Sequence, residues 1–205
     1  MLHSATTRLA EGFVREGLLD LPNLTDEQLD KAFADLVSRF LREDEFGTAL
    51  TFDNHTHKLL TLAKSSENEH ELELCCLFYM LWIEHKINLI LRVILRRKAI
   101  CENDGISIVR KLGIRDKLSW KWQLLGLEPL PEAILADISI IEEFRNGFVH
   151  YKWQSFVSFQ NEDRTWQAIN RVDDIIATLR QFEEKHIFYG QRHRLAECAR
   201  RLKNG

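Results

Sequence analysis

Proline and glycine are scarce in this chain. Three prolines, at 22, 129 and 131, and nine glycines make twelve residues in 205, near 6%, where roughly 12% is usual. No proline falls between 23 and 128 or after 131. A β-sandwich or barrel of this size needs many Gly/Pro turns, so composition excludes both and leaves helix. Long hydrophobic runs are also missing. The longest, Leu74 to Ile83, has ten residues, half of the roughly 20 that span a bilayer. Cysteine is limited to Cys75, Cys76, Cys101 and Cys198. Their spacing fits neither a metal site nor a disulfide framework, and they read as buried thiols. The start, Met1-Leu2-His3-Ser4, lacks the charged-then-apolar order of a signal peptide, so the expectation is a cytoplasmic protein with no membrane partner. Charge of one sign is lacking as well: 28 basic against 31 acidic residues give −3, which by itself favours neither nucleic acid nor membrane.

What is present is amphipathic helix. Thr25-Asp26-Glu27-Gln28 has the spacing of a capping box and opens a helix with Leu29, Phe33, Leu36, Val37 and Phe40 on one side. Gly47 to Lys58 is polar and reads as a loop with some extended structure. The dominant element runs from about 69 to 98 and is apolar on nearly every side between Leu74 and Ile83, as a central helix is. It ends in Arg96-Arg97-Lys98, where positive charge is favourable. Asn103-Asp104-Gly105 reads as a turn, followed by short helices over 106–112 and 116–125. Pro131 starts a helix with a stripe of Ile134, Ile138, Ile141 and Phe148. One further helix carries Trp166, Ile169, Val172, Ile176, Leu179 and Phe182, and a basic helix covers about 191–203. The expected fold class is all-α, a mostly antiparallel bundle forming a single domain over 1–205.

Two stripes are interrupted by polar residues. At 100° per residue, Ile134, Ile138, Ile141, Arg145 and Phe148 fall in one arc of about 80°. So do Leu77, Leu81, Glu84, Asn88, Leu91 and Leu95. An acid and a base set in matching stripes of two helices point to each other as partners. Such a pair either fixes helix register or holds a functional arginine. Asn146 and His150, at i and i+4, share a face, whereas Arg145 and His150 do not on a regular helix. A loosening of the helix at Gly147 would let them converge.

The segment Arg145-Asn146-Gly147-Phe148-Val149-His150, near the end of a helix in an all-α chain, resembles the Arg-x(4–6)-His signature of the HEPN superfamily. In that family the residue after the Arg is typically polar, as Asn146 is. The resemblance covers about 70–185, including Glu84-His85-Lys86-Ile87-Asn88 and Asp116-Lys117-Leu118, with 1–68 as an N-terminal helical extension. It implies a four- or five-helix bundle, usually a homodimer with the motif near the dimer cleft. Many members are metal-independent endoribonucleases serving as toxins or in phage defence, so RNA and an antitoxin or defence-system protein are the implied partners. By the resemblance, His150 is the general acid/base and Arg145 the phosphate and transition-state ligand. Asn146 and Glu84 support them, with Asn88 and His85 alongside, and Tyr151 and Lys152 lie where substrate would bind. The chemistry suits these residue types: histidine titrates near neutrality, and a guanidinium fork matches phosphate. Some HEPN toxins carry a tyrosine two residues after the His, which a partner antitoxin modifies. Here that position is Lys152, which argues against an antitoxin of that type. A non-catalytic HEPN regulator, nucleotide binder or dimerisation module is the alternative, and an all-helical interaction protein outside that family is a third.

Other signals are weaker. Asp53, His55 and His57 alternate as metal ligands can, but without a third element, and no metal or cofactor is expected. Trp120-Lys121-Trp122, near Arg110, Lys111, Arg115 and Lys117, interleaves aromatics and charge. It reads as a short amphipathic helix with one Trp packed and the lysines solvated. The C-terminal Arg192, Arg194, Arg200, Arg201 and Lys203 fit an RNA-backbone contact or a solvated helix.

Overall fold

The computed structural model describes residues 5–40, 49–149 and 158–204. In chain order it has α1 (Ala5–Arg15), a 3-10 turn (Leu21–Asn23), α2 (Asp26–Phe40), α3 (Ala49–Asn68), α4 (Leu72–Arg97), α5 (Glu102–Lys111), α6 (Ile114–Lys117), α7 (Trp120–Leu124), α8 (Glu132–Val149), α9 (Ser158–Ile169), α10 (Val172–His186) and α11 (Arg192–Asn204). No strand occurs among the described residues. The all-α class expected from composition is the observed one.

Local chemistry explains several boundaries. α1 ends at Gly17, whose φ of 71° is readily adopted only without a Cβ. There the amide of Gly17 donates to the Val14 carbonyl and that of Leu18 to Phe13, satisfying the last carbonyls of the helix. A Cβ at Gly17 would also lie 3.0 Å from Cδ of Arg96. α2 opens on the capping box read in the sequence: the Thr25 amide donates to Gln28 Oε1 at 2.9 Å, and the Gln28 amide to Thr25 Oγ1 at 3.3 Å.

One cluster of buried side chains runs through the described helices, and α4 lies at its centre. α4 packs against α3, α5, α8, α9 and α10, burying Cys75, Cys76, Tyr79, Trp82, Ile83 and Ile87. Its length and hydropathy would suit a membrane span, yet 56% of the relevant window is buried inside the protein. The surrounding helices supply the apolar environment that lipid otherwise would. α1 and α2 belong to the same cluster through Phe13, Val14, Leu29 and Phe33.

Several expectations are corrected. Cys101, read as a buried thiol, is exposed. Residues 49–58 are helical, part of α3, not loop or extended chain. That stretch has neither proline nor glycine to break a helix that carries Leu59, Leu60 and Ala63 against the core. Asn103-Asp104-Gly105 lies inside α5, with Gly105 buried beside Leu95, so close packing on α4 outweighs local turn preference. The single helix expected across 166–182 is two, α9 and α10. The break falls at Asn170-Arg171, where the Arg171 amide turns back to Ala168 and the Arg171 side chain reaches both carboxylate oxygens of Asp137 on α8. Finally, α11 is not a wholly solvated helix: one face packs on the core, while Arg200 and Arg201 stay exposed on the other. Leu195, Cys198 and Ala199 are buried, Arg194 pairs with Asp26 and Arg201 with Asp30 of α2, and Arg192 reaches inward.

Candidate functional site: the seam between α4, α6 and α8

The interrupted stripes of α4 and α8 face one another. Arg145 donates from its terminal Nη2 to Glu84 Oε1 at 2.5 Å. The two side chains retain 20% and 31% exposure, so the pair sits along a seam and not in the middle of the core. Leu77 and Leu81, in the same α4 stripe, are likewise half-buried. Arg145 Nε is buried and has no hydrogen-bond partner among the described residues.

Asn88, one turn along α4 from Glu84, accepts a hydrogen bond from Lys117 Nζ at 2.7 Å. Lys117 was expected to be solvated and is instead buried at the end of α6, with 7% exposure. Burial pushes its amine below the usual lysine range, while the Glu84 charge works in the opposite direction. Glu84 therefore acts on two cations, Arg145 and Lys117, contributed by different helices. The short α6 is held to α8 by Arg115, which reaches Glu142 at 3.0 Å and Glu143 at 2.5 Å. The arrangement gathers two positive groups, one carboxylate and an amide along one seam. Such a set can receive an anionic oxygen, with the guanidinium offering further donors.

Not every site residue named from the sequence joins this group. His85 lies about 100° around α4 from Glu84 and is exposed. Asn146 is half-buried next to Arg145. The helix does not loosen at Gly147: α8 continues through it to Val149, so convergence of Arg145 with His150 by that route is not observed. A Cβ at Gly147 would meet nothing within 4 Å. His150, Tyr151 and Lys152 lie outside the described residues, as do the side chains of Asp53 and His55. His57 is exposed on α3. Among the described residues no group of three His, Cys, Asp or Glu could hold a metal ion.

Lys117 is the member that sequence reasoning missed. A signal for it exists: Ile114, Lys117 and Leu118 are spaced i, i+3, i+4, so the lysine shares the apolar face of its short helix. A second polar cluster was also legible and unread. Glu183 of α10 shares a face with Ile175, Ile176, Leu179 and Phe182 and is buried. It meets Lys86 of α4 at 3.1 Å, Arg15 of α1 at 3.1 Å and Arg192 of α11 at 3.3 Å. Burial alone would raise its pKa, but the three cations overcome that and hold it at about 2. Arg192 also lies over the ring of buried Phe188, 4.0 Å from its centroid. With every group matched to an opposite charge, this cluster fastens four helices together. It too holds a buried guanidinium nitrogen, Arg192 Nε, without a hydrogen-bond partner among the described residues, but the α4–α6–α8 seam, where Arg145 and Glu84 keep 20% and 31% exposure, is the more accessible to a ligand.

No family model matches the chain, and no curated protein or solved structure is similar to it.

Proposed function

We propose that the protein is a metal-independent endoribonuclease of HEPN type, a toxin or phage-defence effector acting on cellular or phage RNA in the cytoplasm. The observation that carries this reading is Arg145: Glu84 holds one end of its guanidinium while the buried Nε remains without an acceptor among the described residues. The side chain keeps 20% exposure, so its other guanidinium donors can take a phosphoryl oxygen while Glu84 holds the group in place. Lys117 adds a second positive charge along the same seam. In the reaction, the substrate's own 2′-oxygen attacks phosphorus, the bond to the 5′-oxygen breaks, and a 2′,3′-cyclic phosphate and a 5′-hydroxyl remain. His150 moves the proton and Arg145 steadies charge on the phosphoryl oxygens. A symmetric homodimer with these segments facing a shared cleft would double the groups available for acid and base steps.

A second reading is favoured by the same geometry. Arg145 and Lys117 each already have a partner, Glu84 and Asn88, as expected of a non-catalytic HEPN protein that keeps the motif for structure.

Purified protein incubated with RNA discriminates between them. On the ribonuclease reading, cutting survives EDTA, fails on a substrate that is 2′-deoxy at the cleaved nucleotide, and falls about 10²-fold or more in His150→Ala. Arg145→Lys is also impaired, because an ammonium cannot present the fork. Folded His150→Ala protein that cuts at the parent rate overturns the ribonuclease reading and leaves the regulatory one.

A further inference from the structure

The two tryptophans of α7 have opposite surroundings. Trp122 is fully buried and donates from its indole nitrogen to the Glu128 carbonyl at 2.8 Å. Trp120 is 61% exposed, and Leu124, one turn further along the same face, is 69% exposed. A large aromatic face left in water carries a hydrophobic cost with no packing return inside this chain. The sequence leading to it is basic, although Arg115 is taken by Glu142 and Glu143 of α8. Residues 110–121 hold Arg110, Lys111, Arg115, Lys117 and Lys121 against the single acid Asp116, in a protein whose net charge is −3. Lys121 Nζ lies 5.7 Å from the Trp120 ring centroid and 3.1 Å from Asp116. Arg110 and Lys111 are exposed at the end of α5.

Trp120 also stands close to the candidate site. It lies three positions after Lys117, so their Cα atoms are at most about 11 Å apart. An open aromatic ring within about 11 Å of buried Lys117 by Cα separation, in a basic stretch of sequence, has the composition of a platform for unpaired bases. Bases in a duplex are already stacked on each other and do not offer their faces to a side chain.

We infer that Trp120 is a base-stacking platform that restricts the substrate to single-stranded RNA. The base adjoining the phosphate at Arg145 and Lys117 lies on the indole, while Arg110, Lys111 and Lys121 follow the backbone. The inference rests on the ribonuclease reading for the identity of the nucleic acid, and its test does not depend on cleavage.

The test measures binding of a fluorescein-labelled 2′-O-methyl single strand, which no 2′-hydroxyl mechanism can cut, by anisotropy with the full-length protein. Trp120→Ala should weaken binding about 5- to 100-fold, with Trp120→Phe retaining most of the affinity and Trp120→Leu behaving like Ala. The same sequence in a duplex should bind more weakly than the single strand. Equal binding by parent and Trp120→Ala, equal binding of duplex and single strand, or no binding by the parent overturns the inference. So does light scattering that finds the parent dimeric and Trp120→Ala monomeric, which would assign the ring to a second copy of the chain. Trp120-dependent binding without cleavage under any condition would sink the ribonuclease reading and keep the platform. Cleavage indifferent to Trp120 would do the reverse.

Discussion

The Lys86 ammonium of α4 and the Glu183 carboxylate of α10 meet at 3.1 Å in the protein interior, ninety-seven residues apart in sequence. Glu183 is the shared counter-charge for Lys86, Arg15 and Arg192. Replacing it by Gln takes the carboxylate from buried Lys86, while Arg15 keeps Glu11 and Arg192 keeps Glu184, each at 3.1 Å, so Glu183→Gln should lose about 3 kcal/mol in urea unfolding near neutral pH. Lys86→Met should cost much less, since the carboxylate keeps two guanidinium partners.

The same residue sets a pH dependence. Its folded pKa of about 2 lies below the ordinary glutamate value of 4.5. The stabilisation is therefore fully present above about pH 5 and is lost as the pH falls toward 2, about 3 kcal/mol in all. Unfolding free energy measured from pH 6 to pH 2 should fall steeply in the parent and more gently in Glu183→Gln. Parallel profiles would remove Glu183 from the account.

Glu84 and Arg145 are partly exposed, and solvent discounts their pairing. Glu84→Ala should destabilise by about 1 kcal/mol, less than a fully buried pair would. A double-mutant cycle with Arg145→Ala should return a coupling of similar size, and a coupling of zero would show that the contact contributes nothing to stability.

Lys117 supplies a prediction at the alkaline end. Burial lowers its folded pKa below the ordinary 10.5, so between the two values the unfolded chain binds more protons than the folded one. Stability contributed by this group therefore rises with pH in the interval just below 10.5. Lys117→Met should remove that rise and lose the bond to Asn88. Urea melts of the parent and variant at pH 8 and pH 10 are the comparison.

The tryptophans of α7 should separate cleanly. Trp122→Ala opens a cavity and strands the Glu128 carbonyl, costing about 3–5 kcal/mol. Trp120→Ala should leave the unfolding midpoint within the equivalent of about 0.5 kcal/mol, as exposed substitutions do.

Much of the fold was legible in residue order. Helical class followed from scarce proline and glycine, the start of α2 from Thr25 and Gln28, and the central position of α4 from its all-round apolar surface. These are properties of short windows, where side-chain spacing and capping chemistry act locally. The facing of Glu84 and Arg145 was legible too, because each interrupts an apolar stripe and an unmatched charge there is costly.

What remained needed contacts between distant segments. Helical period gives the face a residue occupies but not the helix that will cover it. Trp120 and Trp122 share one short helix, and only the neighbours present on each side make one core and the other surface. Lys117 has the composition of a solvated residue, yet Asn88 and Glu84 of α4 make its burial tolerable. The division between α9 and α10 required Asp137 of α8 to receive Arg171. The basic tail became a packed helix because Asp26, Asp30 and Glu183 stood where its guanidinium groups arrived. In each case a charged or aromatic group is stable inside or outside according to the partner it meets, and chain topology alone brings that partner.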